Sequence, residues 1–463
     1  MKKTISFVCK LYLLLMPFQL MPFFRPFRNT FSRVAAIDNC MFIMLIGLLL
    51  IMIYTKGTLL FRNELMRKAI LLVFELIGIS LLTSLVLLPV FGSLFGEDTI
   101  SASLSTNIYY VLLAVTFFFN AHLFDFLTKE QIRKIMDFLC VFNLVIGFVQ
   151  ILIVSDVPII GKFYDDLDYF DIFVDSGKML LIGRICATRV EPANIGISIC
   201  VFLLPYAMAR LLHAKNKRKY LLYMVGLTVL CGYALSSAVL VSLLAAYMLF
   251  IILSSRKTGA GKFVILLLVL MMIGVLIISS GMIDNTEFGQ KISYLLVEKT
   301  TNTSNLSSGY RYTTVVNDLV CFVRYPFSGI GNGNQGFLYN ETMNSSLVSE
   351  AMRNNYQTVK AMSGANGVLS GGAFVPAFIS GYGILGLVLL GIYINAVRKK
   401  LKEKRESLNY YYEWFCIGAI TFLIVSTVAG SIEGNYIVMF VLSLPFAADP
   451  VLEEKEEVHS LAN

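Results

Sequence analysis

A succession of apolar runs, each about 17–25 residues long and set apart by short hydrophilic breaks, governs what this chain can fold into. That length crosses a hydrocarbon core of about 30 Å as helix. With no water beside them, backbone amides in such a run need partners within it, so the runs are helices. Charged residues are only 15% of the chain against 57% hydrophobic, with a mean hydropathy of +0.73. Soluble domains carry about 25% charged residues, so this chain cannot cover a water-facing surface. The net charge of +8 does not indicate nucleic-acid binding, because the basic residues fall in the breaks, as membrane orientation requires.

The pattern predicts an all-α polytopic membrane protein, one transmembrane domain over 1–463 with about twelve spans. They fall near 6–24, 40–55, 69–92, 105–126, 134–155, 192–213, 219–235, 237–254, 262–283, 371–396, 410–430 and 433–450. The 219–254 stretch, split at Ser236 and Ser237, reads as a hairpin or a bent pair, giving twelve spans or eleven. Met1 to Phe18 has a basic start and a short apolar run but no small-x-small cleavage site, and reads as a retained first span.

The breaks Lys56–Lys68, Lys129–Lys134, Arg210–Lys219, Arg256–Lys262 and Arg398–Arg405 are basic and occupy every second loop. With Lys2 and Lys3 on the same side, both termini are expected in the cytoplasm. The alternate loops, including Glu97 and Asp98, are acidic or mixed and face out. Arg25, Arg28 and Arg33 dissent, and read as interfacial arginines. Two outer excursions follow: 156–191, and a large extracytoplasmic loop at 284–370 between spans nine and ten. In the second, Tyr310 to Tyr325 carries apolar residues at helical spacing and predicts a short helix on the membrane surface.

The first loop ends in Gly183-Arg184-Ile185-Cys186-Ala187-Thr188-Arg189-Val190-Glu191-Pro192. Pro192 suits the first turn of a span, and Glu191 then sits at a helix N-terminus that favours its charge. Arg184 and Arg189 beside it suit bidentate phosphate recognition, although a plain cap with interfacial arginines reads equally well. The second loop holds Arg311, Arg324 and the run Tyr325-Pro326-Phe327-Ser328-Gly329-Ile330-Gly331-Asn332-Gly333-Asn334-Gln335-Gly336. Glycines this dense, Gly329, Gly331 and Gly333 among them, can bunch amides into an anion-binding nest or simply make a tight turn. Residues 331–336 spell GxGxxG, but no strand or βαβ unit precedes them, so a dinucleotide fold is set aside.

Asn366 precedes a glycine-rich span in which Pro376 is expected to make a kink. Glu75 is an acid within the third span. Eight scattered cysteines form neither a zinc pattern nor a disulfide framework; only Cys186 and Cys321 lie in or near long loops. His122, His213 and His459 all map to the cytoplasmic half. Outer-face chemistry would then depend on carboxylates and arginines, with no metal or cofactor expected.

Taken in order, these motifs resemble the O-antigen polymerase and O-antigen ligase superfamily of polyprenyl-linked glycan enzymes. The resemblance rests on Arg189, Glu191 and Pro192 opening a span, Arg311, the Tyr-Pro-Phe-x-Gly-Ile-Gly stretch at 325–331, and Asn366 before Gly383 and Gly386. A Ser-Arg pair common in the family is Ser236-Ser237-Ala238 here. Ligase members carry a histidine in the large outer loop; its absence here favours a polymerase. The resemblance implies a GT-C-like helical fold and a metal-independent glycosyltransferase of the bacterial cytoplasmic membrane. It implies a donor glycan on undecaprenyl diphosphate, a lipid-linked repeat unit as acceptor, and a chain-length regulator and flippase as partners. Glu191, Arg189 and Arg311 become the expected catalytic residues; Arg184, Arg324, Gly329, Gly331, Gly333 and Asn366 become the expected diphosphate or glycan ligands. A lipid-linked oligosaccharide flippase is the rival class, but flippases need charges inside many spans, and here the arginines sit in loops.

Overall fold

The computed structural model describes residues 1–17, 39–57, 63–94, 97–155, 185, 195–234, 236–258, 306–351, 353–354, 373–427 and 436–448. Helices dominate: α1 Lys2–Leu15, α2 Asn39–Thr55, α3 Glu64–Phe91, α4 Thr99–Phe126, α5 Lys129–Val154, α6 Gly196–His213, α7 Lys217–Tyr233 and α8 Ser237–Thr258. They continue with α9 Leu306–Arg324, α10 Tyr339–Asn344, α11 Phe374–Glu403, α12 Tyr410–Val425 and α13 Tyr436–Ser443. Every stretch read as a span carries helix except 262–283, which lies outside the described residues, as do Arg25, Arg28 and Arg33. Among the described residues five helices are long and apolar enough to cross a membrane: α3, α4, α5, α8 and α11. The described part is thus an all-helical membrane protein, apart from one two-residue antiparallel pair, β1 Ser93–Leu94 with β2 Glu97–Asp98.

The helix ends follow local chemistry. The Asn63, Asp98 and Thr128 side chains accept from Leu65, Ser101 and Gln131 amides, satisfying donors that the first helical turn leaves orphaned. Thr128 and Gln131 complete a reciprocal capping box. Gly92, at φ +60°, ends α3 and lets the chain reverse into α4. The 219–254 stretch is two helices, with the Tyr247 and Thr228 hydroxyls 2.6 Å apart across them.

The first eight residues of α6 wind as a π-helix before the α-helical turn resumes at Leu204. The Trp414 indole donates to the Phe202 carbonyl there at 2.9 Å, and Trp414 joins Phe202, Tyr206, Tyr411 and Phe440 in the aromatic centre of the core. Three of the basic breaks meet at one end of the bundle. Lys129 Nζ donates to the Ser407 carbonyl, His213 pairs with Glu413, and the Asp137 carboxylate takes Arg133, Lys219 and the Tyr206 hydroxyl. The 28 residues of α4 place its other end about 42 Å away. At that far end the C-terminus of α3, the start of α4, the start of α11 and the end of α9 converge.

Candidate functional site

The far end is organised by the Tyr325–Gln335 segment, which leaves α9 and inserts between α3, α4 and α11. Its backbone crosses α11 antiparallel. The Ile330 and Gly331 amides donate to the Ser380 and Gly381 carbonyls at 2.9 and 3.1 Å, and the Ile384 and Leu385 amides donate to the Pro326 and Phe327 carbonyls at 2.8 and 2.9 Å. To make those bonds α11 must open, and it does so at Gly383, with φ +60° and ψ −155°. The break is therefore at Gly383 and not at Pro376, which sits in the first turn of α11 where an amide has no helical partner to lose.

Gly329, at φ +70°, and Gly383 touch at the crossing: a Cβ on Gly383 would lie 2.5 Å from the Gly329 nitrogen and the Phe327 oxygen. Only glycine fits both the dihedrals and the gap. Gly333, at φ +94°, lies equally close to α4, its Cβ position 2.5 Å from the Ala102 carbonyl oxygen and the Thr106 hydroxyl.

Side chains seat the loop. The Asn332 amide donates to Ser80 Oγ at 2.8 Å, and Asn334 Nδ2 donates to Ser84 Oγ at 2.8 Å. Ser80 is eleven residues from the end of α3, about 16 Å into the bundle. Non-helical backbone at such depth has to be enclosed by protein, and Ile330, Asn332, Asn334 and Gln335 are all buried. Gln335 is the hub: its Oε1 accepts from the Gly333 amide, its Nε2 reaches Ala377 O and Ser380 Oγ, and its carbonyl accepts from Asn317 Nδ2.

The helix α9 is polar on its inner side and apolar on its outer side. Thr313, Thr314, Asn317 and Asp318 are buried, whereas Tyr312, Leu319 and Val323 are exposed. That inversion suits a helix lying at the membrane boundary with its apolar face outward. Asp318 is 1% exposed; Oδ1 bonds Ser380 Oγ at 2.9 Å, and Oδ2 is buried with no hydrogen-bond partner among the described residues. Burial pushes this carboxyl up to about 7.

The structure brings Arg311, Arg324, Gly329, Gly331 and Gly333 into this one unit. Arg311 is half-buried and engaged; Arg324 is exposed at the end of α9 and pairs with Glu341 of α10 at 3.1 Å. The Gly329, Gly331 and Gly333 amides donate to Tyr325 O, Gly381 O and Gln335 Oε1, so the loop turns its donors into the protein instead of presenting an anion nest. Arg184, Arg189, Glu191 and Asn366 lie outside the described residues. Cys321 is a free buried thiol. Glu75 is exposed on the outward side of α3. Among the described residues no group of three or more His, Cys, Asp or Glu side chains gathers to hold a metal ion.

Sequence reasoning passed over Asp318. Its signal was the Asn317-Asp318 pair interrupting Val315-Val316 and Leu319-Val320, a polar doublet within an apolar helical run. The serines of α3 gave no such signal, since isolated serines are common in spans. No family model, no curated protein and no solved structure matches this chain.

Proposed function

We propose that the chain polymerises undecaprenyl-diphosphate-linked oligosaccharide repeat units for an O-antigen, capsule or exopolysaccharide at the outer leaflet of the bacterial cytoplasmic membrane. In this reading about twelve spans form a GT-C-like scaffold, both termini are cytoplasmic, and the basic end of the bundle faces the cytoplasm. The observation that carries it is the anchoring of α9, with Arg311 and Arg324, at the bundle end opposite the gathered basic breaks. An anionic lipid head and a hydrophilic glycan meet at such a boundary, and arginine keeps its charge there. The motif order of the O-antigen superfamily supports the same reading.

In the reaction an acceptor hydroxyl of the lipid-linked repeat attacks the anomeric carbon of the growing glycan. A glycosidic bond forms, the carbon–oxygen bond to the diphosphate breaks, and the hydroxyl proton passes to a base while undecaprenyl diphosphate leaves. Arg189 and Arg311 are assigned to the developing diphosphate charge, with Arg184, Arg324 and Asn366 holding the substrate. Glu191 either takes the proton or orients an arginine. The glycine run enters this scheme as the frame that fixes α9, not as a phosphate ligand. A flippase would supply the repeats, and a chain-length regulator would act on the product.

Deletion of the gene in its native host tests the reading. A glycan ladder collapsing to a single repeat is expected. An unchanged ladder, loss of even the single repeat, or a full-length polymer left on its lipid carrier would overturn it; the last is the ligase outcome. Arg311→Ala should lower polymer output by about 10²–10³-fold while the protein still inserts.

A further inference from the structure

The Ser380 hydroxyl, buried where the Tyr325–Gln335 loop crosses α11, has one proton and two acceptors in reach. Asp318 Oδ1 lies at 2.9 Å and the Ala377 carbonyl at 3.0 Å, while Gln335 Nε2 already donates to the same oxygen at 3.2 Å. An ionised carboxylate would need that single proton, leaving the Ala377 carbonyl only the Gln335 amide as a side-chain donor; its second oxygen would be a buried charge with no donor among the described residues. A protonated carboxyl closes the arrangement. Asp318 donates to Ser380 Oγ, Ser380 donates to Ala377 O, and Gln335 Nε2 donates into the pair.

We propose that Asp318 is a positioning residue that carries a proton in the folded protein, and that this proton holds the inserted loop against the broken helix α11. The proposal does not rest on the polymerase reading.

The charged and titratable surroundings fit a neutral carboxyl. Along α9, Cys321 is a buried thiol, Arg324 is turned outward to Glu341 of α10, and Arg311 stands two turns earlier, half-buried and engaged. On α11, the Tyr382 hydroxyl donates to Asn107 of α4; on α4, Tyr110 packs against Tyr382. On α3, Glu75 points outward, and the loop itself offers only neutral groups near Asp318. Among the described residues no cation compensates a charge at Asp318: burial raises its carboxyl, and only the Ser380 hydrogen bond opposes this.

The sign follows from linkage. A carboxyl that titrates near 4 when unfolded and at about 7 when folded gives stability that is full below about pH 4. That stability is lost as pH rises to about 7, and the loss levels off above. Asparagine reproduces the neutral carboxyl, with an amide that donates to Ser380 and no titration.

Thermal midpoints of the full chain in detergent, from pH 5 to 9, test this for wild type, Asp318→Asn and Asp318→Ala. Wild type should fall by several degrees between pH 5 and 7.5. Asp318→Asn should match it at pH 5 and lack that fall, and Asp318→Ala should lie lower throughout. The proposal is overturned if Asp318→Asn keeps the wild-type slope or melts well below wild type at pH 5. Should the variants fail to accumulate, infrared spectra of wild type labelled with carboxyl-¹³C aspartate decide the matter. A protonated-carboxyl band at pH 5.5 that vanishes by pH 8.5 is expected, and absence of that band at pH 5.5 overturns the proposal.

Discussion

The two ends of this bundle hold themselves together by opposite chemistry. At the basic end, Asp137 is gripped by Arg133, Lys219 and the Tyr206 hydroxyl, and the Arg210 guanidinium lies between the rings of Tyr220 and Tyr410. Many of those groups keep contact with the surroundings, Lys219 with 38% of its side chain exposed and Arg133 with 29%. At the other end an exposed Arg324–Glu341 pair sits at the rim, but the contacts of the deep crossing are neutral: amide to carbonyl, amide to serine hydroxyl, glycine against glycine. Buried ions need near-complete compensation to be stable, whereas neutral hydrogen bonds need only geometry. Ions are therefore placed where water can share their charge, and the deep crossing is left to backbone and hydroxyls. The carboxyl buried at that crossing, Asp318, is also one that burial drives toward its neutral form.

Substitutions at the two ends should separate in size and in salt response. Gly383→Ala should have the largest effect, about 3 kcal/mol or more, because it puts a Cβ against the loop at a dihedral pair reserved for glycine. Size-exclusion profiles would show aggregate in place of a monodisperse peak; a well-folded variant would mean the crossing is not as tight as described. Asp137→Asn should be smaller, about 1–2 kcal/mol, since its cationic partners are partly hydrated. Its deficit should shrink in high salt, a response the glycine variant lacks, and equal salt dependence for both would erase the contrast between the ends. Ser84→Ala removes one acceptor from Asn334 while leaving the Ile330 carbonyl as another, so about 1 kcal/mol is expected from thermal midpoints. Arg324→Ala breaks an exposed pair and should change the midpoint by less than about 1 kcal/mol equivalent, whatever it does to activity.

The helices were legible from the apolar runs, whereas caps such as Thr128 with Gln131 emerge from the structure. What escaped was the path of the glycine run. Its residues were recognised as conformationally special, but an amide-rich turn reads the same whether its donors face a ligand or another helix. Only the position of α11 decides, and that depends on contacts between residues far apart in the chain. The kink was misplaced for a related reason. Proline announces a break locally, yet Pro376 falls in a first turn where it breaks nothing, while α11 opens at Gly383, where the Tyr325–Gln335 loop takes its neighbours' hydrogen bonds.

The serines of α3 carry a consequence for how the protein is made. Asn332 and Asn334 lie 252 and 250 residues after the Ser80 and Ser84 hydroxyls that they meet. At about 5–20 residues per second of synthesis, those hydroxyls wait on the order of 10–50 s for their partners. Serine can wait inside a bilayer. Ser84 bonds back to the Ser80 carbonyl at 2.7 Å, and Ser80 is met by Ser103 of the very next helix. These two hydroxyls are thus partnered within α3 and α4 before the late half is born, and take on further bonds to Asn332 and Asn334 afterwards.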